Sequence, residues 1–179
     1  LAIAVASCFA GYAQANPTTP TVVSGAATFA ASGKSLNVTN TPGAIINWQG
    51  FSIGANEITR FAQQSASSAV LNRVVTNHPL SILGALQSNG RVFLVNPNGI
   101  VFGQGATINV AGLVATSLNM SNVDFLAGRY NFTQVPGAQN ISNAGSLTAQ
   151  GNGQTGGQIY LIAPNVENTG VITAPNGEI

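Results

Sequence analysis

The chain has 179 residues, and only 5% of them are charged, whereas about 25% is usual in a soluble domain. The hydrophobic share of 45% and the net charge of +1 exclude intrinsic disorder, which requires low hydrophobicity together with high net charge. Five Lys and Arg residues cannot form the basic surface that nucleic-acid binding needs, so nucleic acid is excluded as a partner.

The first fifteen residues have the pattern of the end of a secretory signal peptide. Residues 1–10 are apolar, and Ala13-Gln14-Ala15 is a small-x-small cleavage pattern. We therefore predict that residues 1–15 are the C-terminal part of a signal peptide, handled by the general secretion machinery and signal peptidase, and that residues 16–179 form one domain. Two alternatives are a short buried strand and a lipoprotein signal in which the single cysteine, Cys8, accepts the lipid.

From residue 18 onward, short apolar or Thr-rich runs alternate with Gly, Asn and Pro turns, which is typical of an all-β domain. The predicted strands cover residues 21–25, 27–30, 35–40, 44–48, 51–53, 69–75, 81–86, 91–95 and 157–164. Ser121, followed three residues later by Asp124, has the capping-box pattern and predicts one helical turn over residues 122–127.

A repeat follows near the end of the chain. Residues 141–149 recur as residues 166–174, with Asn, Gly, Thr and Ala at equivalent positions and an offset of twenty-five residues. Such a period predicts stacked coils of a parallel β-helix with amide ladders between equivalent Asn residues; a β-sandwich or an open β-roll is the alternative. The second copy ends in a fresh turn with no terminal cap, so we expect the chain to be the start of a longer protein.

The sequence offers little material for catalysis. Glu57 and Asp124 are the only carboxylates for which we consider a catalytic pair, and nothing in their spacing brings them together. His78 lies in a turn-like segment, as expected for an exposed loop histidine. The G-x-G-x-x-G pattern at residues 151–156 is followed by a predicted strand, whereas in a nucleotide-binding loop this pattern links a strand to a helix. We therefore predict no catalytic residue, no metal site and no cofactor, and a protein that is not an enzyme.

The sharpest local feature is a polar turn between two apolar strands, Asn96-Pro97-Asn98-Gly99. Pro97 presets the backbone angle at the second position, and the Asn96 side chain can accept a hydrogen bond from the turn backbone. By its chemistry alone, this is a tight type I turn between strands.

Several motifs occur in order over residues 44–128. They include Ala44-Ile-Ile-Asn-Trp48, Asn72-Arg73-Val74, Ser88-Asn-Gly90, Asn96-Pro-Asn-Gly-Ile100 and Asp124-Phe-Leu-Ala-Gly128. Together they resemble the haemagglutination-activity, or two-partner-secretion, domain of filamentous haemagglutinin-like exoproteins, and most of all the high-molecular-weight adhesin branch.

The resemblance implies a right-handed parallel β-helix with N-terminal capping strands and extra-helical hairpins. It also implies a secretion-directing N-terminal domain of an exported adhesin-like exoprotein, which is secreted or bound to the cell surface. The partner would be an outer-membrane transporter with periplasmic POTRA domains, and the domain would nucleate folding of the β-helix. Any host surface or glycan would be bound by regions further along the chain.

The resemblance also assigns roles to residues. The secretion motif of the family maps onto Asn96, Pro97, Asn98, Gly99 and Ile100, and Asn72 and Arg73 are secondary candidates. A second family motif, N-P-N-L, is absent, and its nearest counterpart is the segment at residues 77–80.

The alternative function is direct glycan binding. Such a module would present exposed aromatic rings, for which Trp48, Tyr130 and Tyr160 are the candidates.

Overall fold

The computed structural model describes residues 16–179 of the chain. The predictions for residues 1–15, namely the signal peptide, its cleavage pattern at Ala13 and Ala15, and the lipid-acceptor alternative at Cys8, lie outside the described residues. Within residues 16–179, no helix is long and apolar enough to cross a membrane.

The described part is almost entirely β-structure, with twenty short strands and one helix. In chain order these are β1 Thr18–Ser24, β2 Ala27–Ser32, β3 Ser35–Asn40, β4 Ala44–Gly50, β5 Ser52–Ile53, β6 Ile58–Ala62, β7 Ala69–Val74, β8 Leu80–Ile82, β9 Ala85–Ser88, β10 Arg91–Val95, β11 Ile100–Phe102, β12 Thr107–Val110, β13 Gly112–Thr116, β14 Asn119–Met120, α1 Asn122–Leu126, β15 Phe132–Thr133, β16 Ile141–Asn143, β17 Ser146–Ala149, β18 Ile159–Ile162, β19 Val166–Asn168 and β20 Val171–Thr173.

The strands form three long sheets that the chain visits in turn. The first sheet has the order β1-β4-β7-β10-β13-β18, the second β19-β16-β11-β8-β5, and the third β2-β3-β6-β9-β12-β17-β20. Five coils therefore each give one strand to each sheet: residues 44–62 form coil 1, 69–88 coil 2, 91–110 coil 3, 112–149 coil 4 and 159–173 coil 5. Neighbouring coils pair in parallel, which confirms the β-helix and excludes the β-sandwich.

The N-terminal end of the β-helix is covered by antiparallel strands. β1 pairs with β4 and β2 pairs with β3, both antiparallel. β1 and β2 are the predicted capping strands, and they protect an end whose backbone groups would otherwise stay open for pairing with another chain.

The repeat at the C-terminal end is confirmed in register. Ile141 pairs with Val166 and Leu147 pairs with Ile172, so the two copies lie directly on each other in successive coils. The Asn143 side-chain Nδ2 donates to Asn168 Oδ1 over 2.8 Å, which is the predicted amide ladder.

Inward-facing side chains of the three sheets fill a single apolar core. Its largest fully buried members near the N-terminal cap are the aromatic residues Trp48, Phe51 and Phe61. Trp48 packs edge-to-face on Phe51, Phe51 stacks with Phe61, and the half-buried Phe29 packs edge-to-face on Trp48. Burial of such rings contributes more per residue than aliphatic burial, so the first coil is a well-stabilised base for the coils that follow.

A second apolar cluster lies on the outer face of the first sheet. Ile45, Leu71, Phe93 and Val114 align there in register across four strands. The chain covers this stripe with an excursion in coil 4, residues 117–140, made of α1 and the antiparallel pair β14–β15. This is the predicted extra-helical hairpin, and it also contains the predicted helical turn, with Ser121 as N-cap accepting from Asp124 N at 3.0 Å.

Two sequence predictions about strands were wrong in detail. The single strand expected over residues 81–86 is broken at Leu83-Gly84, because the chain turns there from the second to the third sheet. A Cβ on Gly84 would run into the carbonyl oxygens of Gly54 and Glu57, so glycine is required at this corner. The strands β6 and β12 were not predicted, since they carry Arg, Asn and Thr on the exposed face of the third sheet.

Candidate functional site

The turn singled out in the sequence joins β10 to β11 and has the expected internal geometry. Gly99 N donates to Asn96 O over 3.1 Å, and Asn98 N donates to Asn96 Oδ1 over 3.1 Å. Gly99 has a φ of +95° and is buried, and a Cβ on it would lie 3.1 Å from Asn140 O. Glycine is thus needed for both the backbone angle and the close approach.

The same turn, which we call the asparagine corner (residues 96–99), is bonded to the coil before it. Asn96 Nδ2 donates to His78 O over 3.0 Å, and Asn98 Nδ2 donates to Thr76 O over 2.8 Å. Both acceptors lie in the turn that joins β7 to β8 in coil 2. Two side-chain amides therefore hold coil 3 on the backbone of coil 2.

The asparagine corner is also bonded to the coil after it. Asn96 N donates to Thr116 O over 2.9 Å, and Gln139 N donates to Pro97 O over 2.9 Å. Asn140 O accepts from Ile100 N over 3.3 Å. The corner therefore connects three successive coils at one edge of the β-helix.

Most of the predicted secretion motif is inaccessible in the folded domain. Asn96 and Ile100 are 0% exposed, Gly99 is buried, and Pro97 and Asn98 are half-buried. A protein that docks on the folded domain could touch only the edges of Pro97 and Asn98.

The segment nearest to the absent second motif, residues 77–80, lies directly beneath the asparagine corner. His78 is exposed, as predicted, and its Nδ1 lies 3.2 Å from Thr76 Oγ1, while its carbonyl oxygen accepts from Asn96. Leu80 is buried in the core. The segment thus serves as backbone support for the corner.

Asn72, a secondary candidate, lies inside the β-helix. It is 1% exposed, its Oδ1 accepts from Trp48 Nε1 over 2.9 Å, and its Nδ2 donates to Phe93 O over 3.4 Å. Trp48 is itself 0% exposed, so the prediction of Trp48 as an exposed glycan platform was wrong. The side-chain amide satisfies the buried indole N–H, and the pair is an internal structural feature.

Arg73, the other secondary candidate, anchors the extra-helical excursion. Its Nη2 donates to Met120 O over 2.7 Å, and its Nη1 donates to Asn122 Oδ1 over 3.0 Å. Partial burial removes water from the guanidinium and lowers the pKa of Arg73 from its usual value. The preceding residue, Asn72, points inward, so the two candidates act on opposite faces of β7.

Replacing Arg73 with methionine is expected to loosen the excursion while leaving the coils folded. The bonds to Met120 O and Asn122 would be lost, and each such bond from a charged donor contributes about 1.5–3 kcal/mol. Amide hydrogen exchange over residues 119–133 should speed up by about tenfold or more, since tenfold corresponds to about 1.4 kcal/mol. Arg129→Met is the control, because its ion pair with Asp124 is exposed; equal exchange rates in both variants would contradict an anchoring role for Arg73.

The two remaining aromatic candidates lie at the rim of the outer cluster. Tyr130 is 36% exposed and packs edge-to-face on Phe93, and its hydroxyl accepts from Arg91 Nη1 over 2.8 Å. Tyr160 is half-buried, and its hydroxyl donates to Glu178 Oε2 over 2.8 Å, which raises the pKa of this phenol. Their hydroxyls and ring faces are mostly engaged within the domain.

The carboxylates considered for catalysis have separate local roles. Glu57 is buried in the turn before β6, where its Oε2 accepts from Gly54 N over 2.9 Å. Asp124 lies in the first turn of α1, on the outside of the first sheet, and its hydrogen bonds with Ser121 and then Arg129 hold the pKa of its carboxyl below the usual value. Among residues 16–179 no group of three or more His, Cys, Asp or Glu residues is placed to hold a metal ion.

Comparison with known families gives a direct result. Residues 13–178, nearly the whole chain, match the family described as the TPS secretion domain, where TPS stands for two-partner secretion. The chain belongs to this family. The resemblance seen in the sequence motifs is thereby confirmed.

Relatives of this TPS domain occur in Haemophilus influenzae. A heme/hemopexin-binding protein of strain Rd is 35% identical over 172 residues, which cover 93% of this chain and 19% of that protein. A second heme/hemopexin-binding protein of the species is 40% identical over 91 residues, which cover 51% of this chain and 10% of that protein. The chain therefore spans about a fifth of the length of the first relative, and the match to the second covers about a tenth of that protein.

A solved structure confirms the fold. The crystal structure of the HMW1 secretion domain from Haemophilus influenzae matches with a TM-score of 0.82 and 39% sequence identity, covering 88% of this chain and 42% of that chain. TPS domains belong to exoproteins of Gram-negative bacteria that are exported with a cognate outer-membrane transporter and are secreted or surface-associated. The family is one of secretion domains and not of enzymes.

The sequence did not reveal the partners of the asparagine corner. Asn96 and Asn98 bond to the backbone oxygens of His78 and Thr76, and Pro97 accepts from the backbone of Gln139. A backbone group carries no residue-type signature, so no motif in this TPS domain could have identified these contacts. The only available signal was the strand spacing, which places successive corners above each other once the coils are known.

Proposed function

We propose that residues 16–179 direct export by engaging a cognate outer-membrane transporter while they are still unfolded, and that they then nucleate folding of the β-helix. The segment recognised is the secretion motif Asn96, Pro97, Asn98, Gly99 and Ile100, and the POTRA domains of the transporter are its receptor. One observation carries the proposal: Asn96 is 0% exposed and its side-chain amide is fully engaged within the folded domain. A receptor that contacts this residue must do so before the corner forms.

The segment around the motif is suited to such an encounter. β10 and β11, on either side of the corner, are apolar strands with alternating backbone donors and acceptors. In the unfolded chain these strands are free to pair with the edge of a receptor sheet by β-augmentation. Folding then transfers the same backbone groups to β7, β13, β8 and β16, which withdraws the motif from the receptor.

Folding of successive coils gives the process a direction. Each new coil pairs in parallel with the previous one and adds apolar side chains to a continuous core. Return of a folded coil through the transporter would require that this pairing be broken. We therefore assign to the domain both recognition by the transporter and nucleation of the β-helix.

The contacts of Asn16 and Pro17 support our proposal that residues 1–15 are a signal peptide, cleaved after Ala15. Asn16 Nδ2 donates to Lys34 O over 3.2 Å, and Asn16 Oδ1 accepts from Thr59 Oγ1 over 3.1 Å. Thr59 is 0% exposed, and Pro17 is buried. The residue that follows the proposed cleavage position is thus already part of the N-terminal cap.

We assign export, and not ligand binding, to this domain. The names of the relatives state that those proteins bind heme or hemopexin, but the matched region is 19% of the first one and 10% of the second. We propose that any host, glycan or heme ligand is bound by the remainder of the full-length protein.

A binding experiment with the transporter tests the proposed recognition. The 179-residue chain is diluted from urea onto the immobilised POTRA domains, either at once or after refolding. We expect binding only by the freshly diluted chain, and we expect Asn98→Ala to weaken it by about tenfold, or 1.4 kcal/mol.

Asn165→Ala is the matched control for this experiment. Asn165 follows a proline in the exposed turn that joins β18 to β19, the same corner of the β-helix two coils later. Equal binding by the folded and unfolded chain, or equal weakening by the two variants, would refute recognition of the motif in the unfolded state.

A further inference from the structure

A second corner holds the other end of β10. β10 is preceded by Asn89-Gly90, as it is followed by Asn96. Asn89 Oδ1 accepts from Gln63 N over 2.8 Å, and Asn89 Nδ2 donates to Gln63 O over 2.7 Å. One side-chain amide thus bonds both backbone groups of a single residue in the turn that precedes β7, and we call this contact the Gln63–Asn89 corner.

The side chain of Gln63 completes the contact from below. Gln63 is 8% exposed, and its Nε2 donates to Ser88 Oγ over 3.1 Å and to Arg91 O over 3.0 Å. A Cβ on Gly90 would lie 2.5 Å from Gln63 Cδ, so the amide can occupy this position only beneath a glycine. The Gln63–Asn89 corner therefore joins the turn before β7 to the turn before β10. The side-chain amides of Gln63 and Asn89 make the hydrogen bonds, and Gly90 leaves room for the Gln63 amide.

The two corners together fix β10 on β7. The Gln63–Asn89 corner acts on the turn before β7, and the asparagine corner acts on the turn after it. The resulting register pairs Arg91 with Ala69 and Val95 with Arg73. Because a slip of one residue would turn every core side chain of β10 outward, attachment at both ends specifies the register of coil 3.

We propose that the Gln63–Asn89 corner is a second determinant of export, a positioning site that sets the register of coil 3 so that later coils can stack on it. The proposal rests on the proposed function of the domain as a folding nucleus. The Gln63–Asn89 corner lies outside the secretion motif. We assign its residues to folding after passage through the transporter, and not to contact with the transporter.

A later corner of the same type is built differently and provides a control. Asn152 lies in the turn between β17 and β18, and it is exposed, as Asn89 is. Its Oδ1 accepts from Gln154 N over 2.9 Å and from Thr155 N over 2.6 Å, both in its own turn. Asn152 therefore closes a loop locally, whereas Asn89 attaches one coil to another.

The test compares export with stability in matched variants. Asn89→Ala and Asn152→Ala are introduced into the full-length exoprotein, which is expressed with its transporter, and the secreted fraction is measured over time. The urea midpoint of the 179-residue chain is measured for each variant by Trp48 fluorescence. When the two variants lower the urea midpoint of unfolding equally, Asn89→Ala should slow export at least about fivefold more than Asn152→Ala does.

Two further variants keep the proposal testable if Asn89→Ala does not fold. Gly90→Ala should displace the Gln63 amide and reproduce the export defect with Asn89 intact. Asn89→Asp keeps the acceptor for Gln63 N and should retain part of the export. Hydrogen exchange should then show lost protection in β10 for Gly90→Ala and for Asn89→Ala, and unchanged protection in β10 for Asn152→Ala.

The outcomes separate this proposal from the one on which it rests. If export follows stability identically in the Asn89 and Asn152 variants, the corner is an ordinary structural contact and the inference is overturned. Binding of the freshly diluted chain to the POTRA domains should be the same for Asn89→Ala as for the unchanged chain. A loss of that binding would place Asn89 in the recognised segment and would also overturn the inference.

Discussion

Asn96→Ala is expected to lower the free energy of unfolding by about 2–3 kcal/mol, because it removes a buried side-chain amide and the hydrogen bonds that this amide makes to two backbone groups. The side chain is 0% exposed, its Nδ2 donates to His78 O, and its Oδ1 accepts from Asn98 N. Alanine supplies none of these bonds and leaves a small void at the junction of three coils. Urea unfolding followed by Trp48 fluorescence measures the loss.

Export of the Asn96→Ala protein is expected to fall by about tenfold or more, beyond what this instability explains. Asn143→Ala is the matched control, since Asn143 is 1% exposed, donates to Asn168 Oδ1 over 2.8 Å and accepts from Gly145 N over 3.1 Å. It lies outside the secretion motif and in a later coil. If both variants lose export in the same proportion to stability, Asn96 acts only through the fold, and its assignment to transporter recognition fails.

Features of the fold that depend on nearby residues could be predicted from the sequence. The internal bonds of the asparagine corner follow from Asn, Pro and Gly at fixed positions, and the cap of α1 follows from Ser121 and Asp124. The repeat at residues 141–149 and 166–174 was visible because both copies retain Asn and Gly where the coils stack.

Features that depend on the neighbouring coil could not be predicted in this way. Glycine is required where the strand breaks at Leu83-Gly84, because backbone oxygens from the preceding coil occupy the space next to Gly84. β6 carries Arg60 on its outer face, where the guanidinium donates to Gln87 Oε1 of the next coil over 3.0 Å. Neither contact has a local pattern, because its two sides are about one coil apart in the sequence.

The candidate site shows the same division. The family motif located Asn96 and Arg73, but not what they contact, and aromatic character alone suggested the wrong environment for Trp48. Trp48 follows Ile45 and Ile46 in a strand that is buried on both faces, the inner face by the core and the outer face by the excursion. A strand covered on both sides lacks the alternation from which burial is usually inferred.

Trp48→Ala is expected to be among the most destabilising single changes in the domain, with a loss of about 3–5 kcal/mol in the free energy of unfolding. The indole is 0% exposed and packs edge-to-face between Phe29 of the cap and Phe51 of coil 1, at centroid distances of 5.6 and 5.5 Å. Its loss would leave a cavity where the cap meets the first coil. Urea unfolding followed by far-UV circular dichroism measures this effect without the tryptophan signal.

Trp48→Phe separates packing from the buried hydrogen bond. Phenylalanine fills much of the volume but leaves Asn72 Oδ1 without its indole donor, at an expected loss of about 1–3 kcal/mol. The double variant with Asn72→Leu should recover part of this loss, because it removes the unpaired amide oxygen. If the losses in unfolding free energy of Trp48→Phe and Asn72→Leu simply add in the double variant, the two side chains are not coupled through their hydrogen bond.

The effect of Trp48→Ala on export distinguishes the two halves of the proposed function. Trp48 lies far in sequence from the asparagine corner and is joined to it only through the folded coils. The freshly diluted variant should therefore bind the POTRA domains as well as the unchanged chain does, while the secreted fraction should fall with the loss of stability. Normal secretion of this destabilised variant would mean that folding of coil 1 does not drive export. Weakened binding would instead mean that the receptor recognises partly folded structure, because an unfolded chain has no means of relaying a change at residue 48 to residue 96.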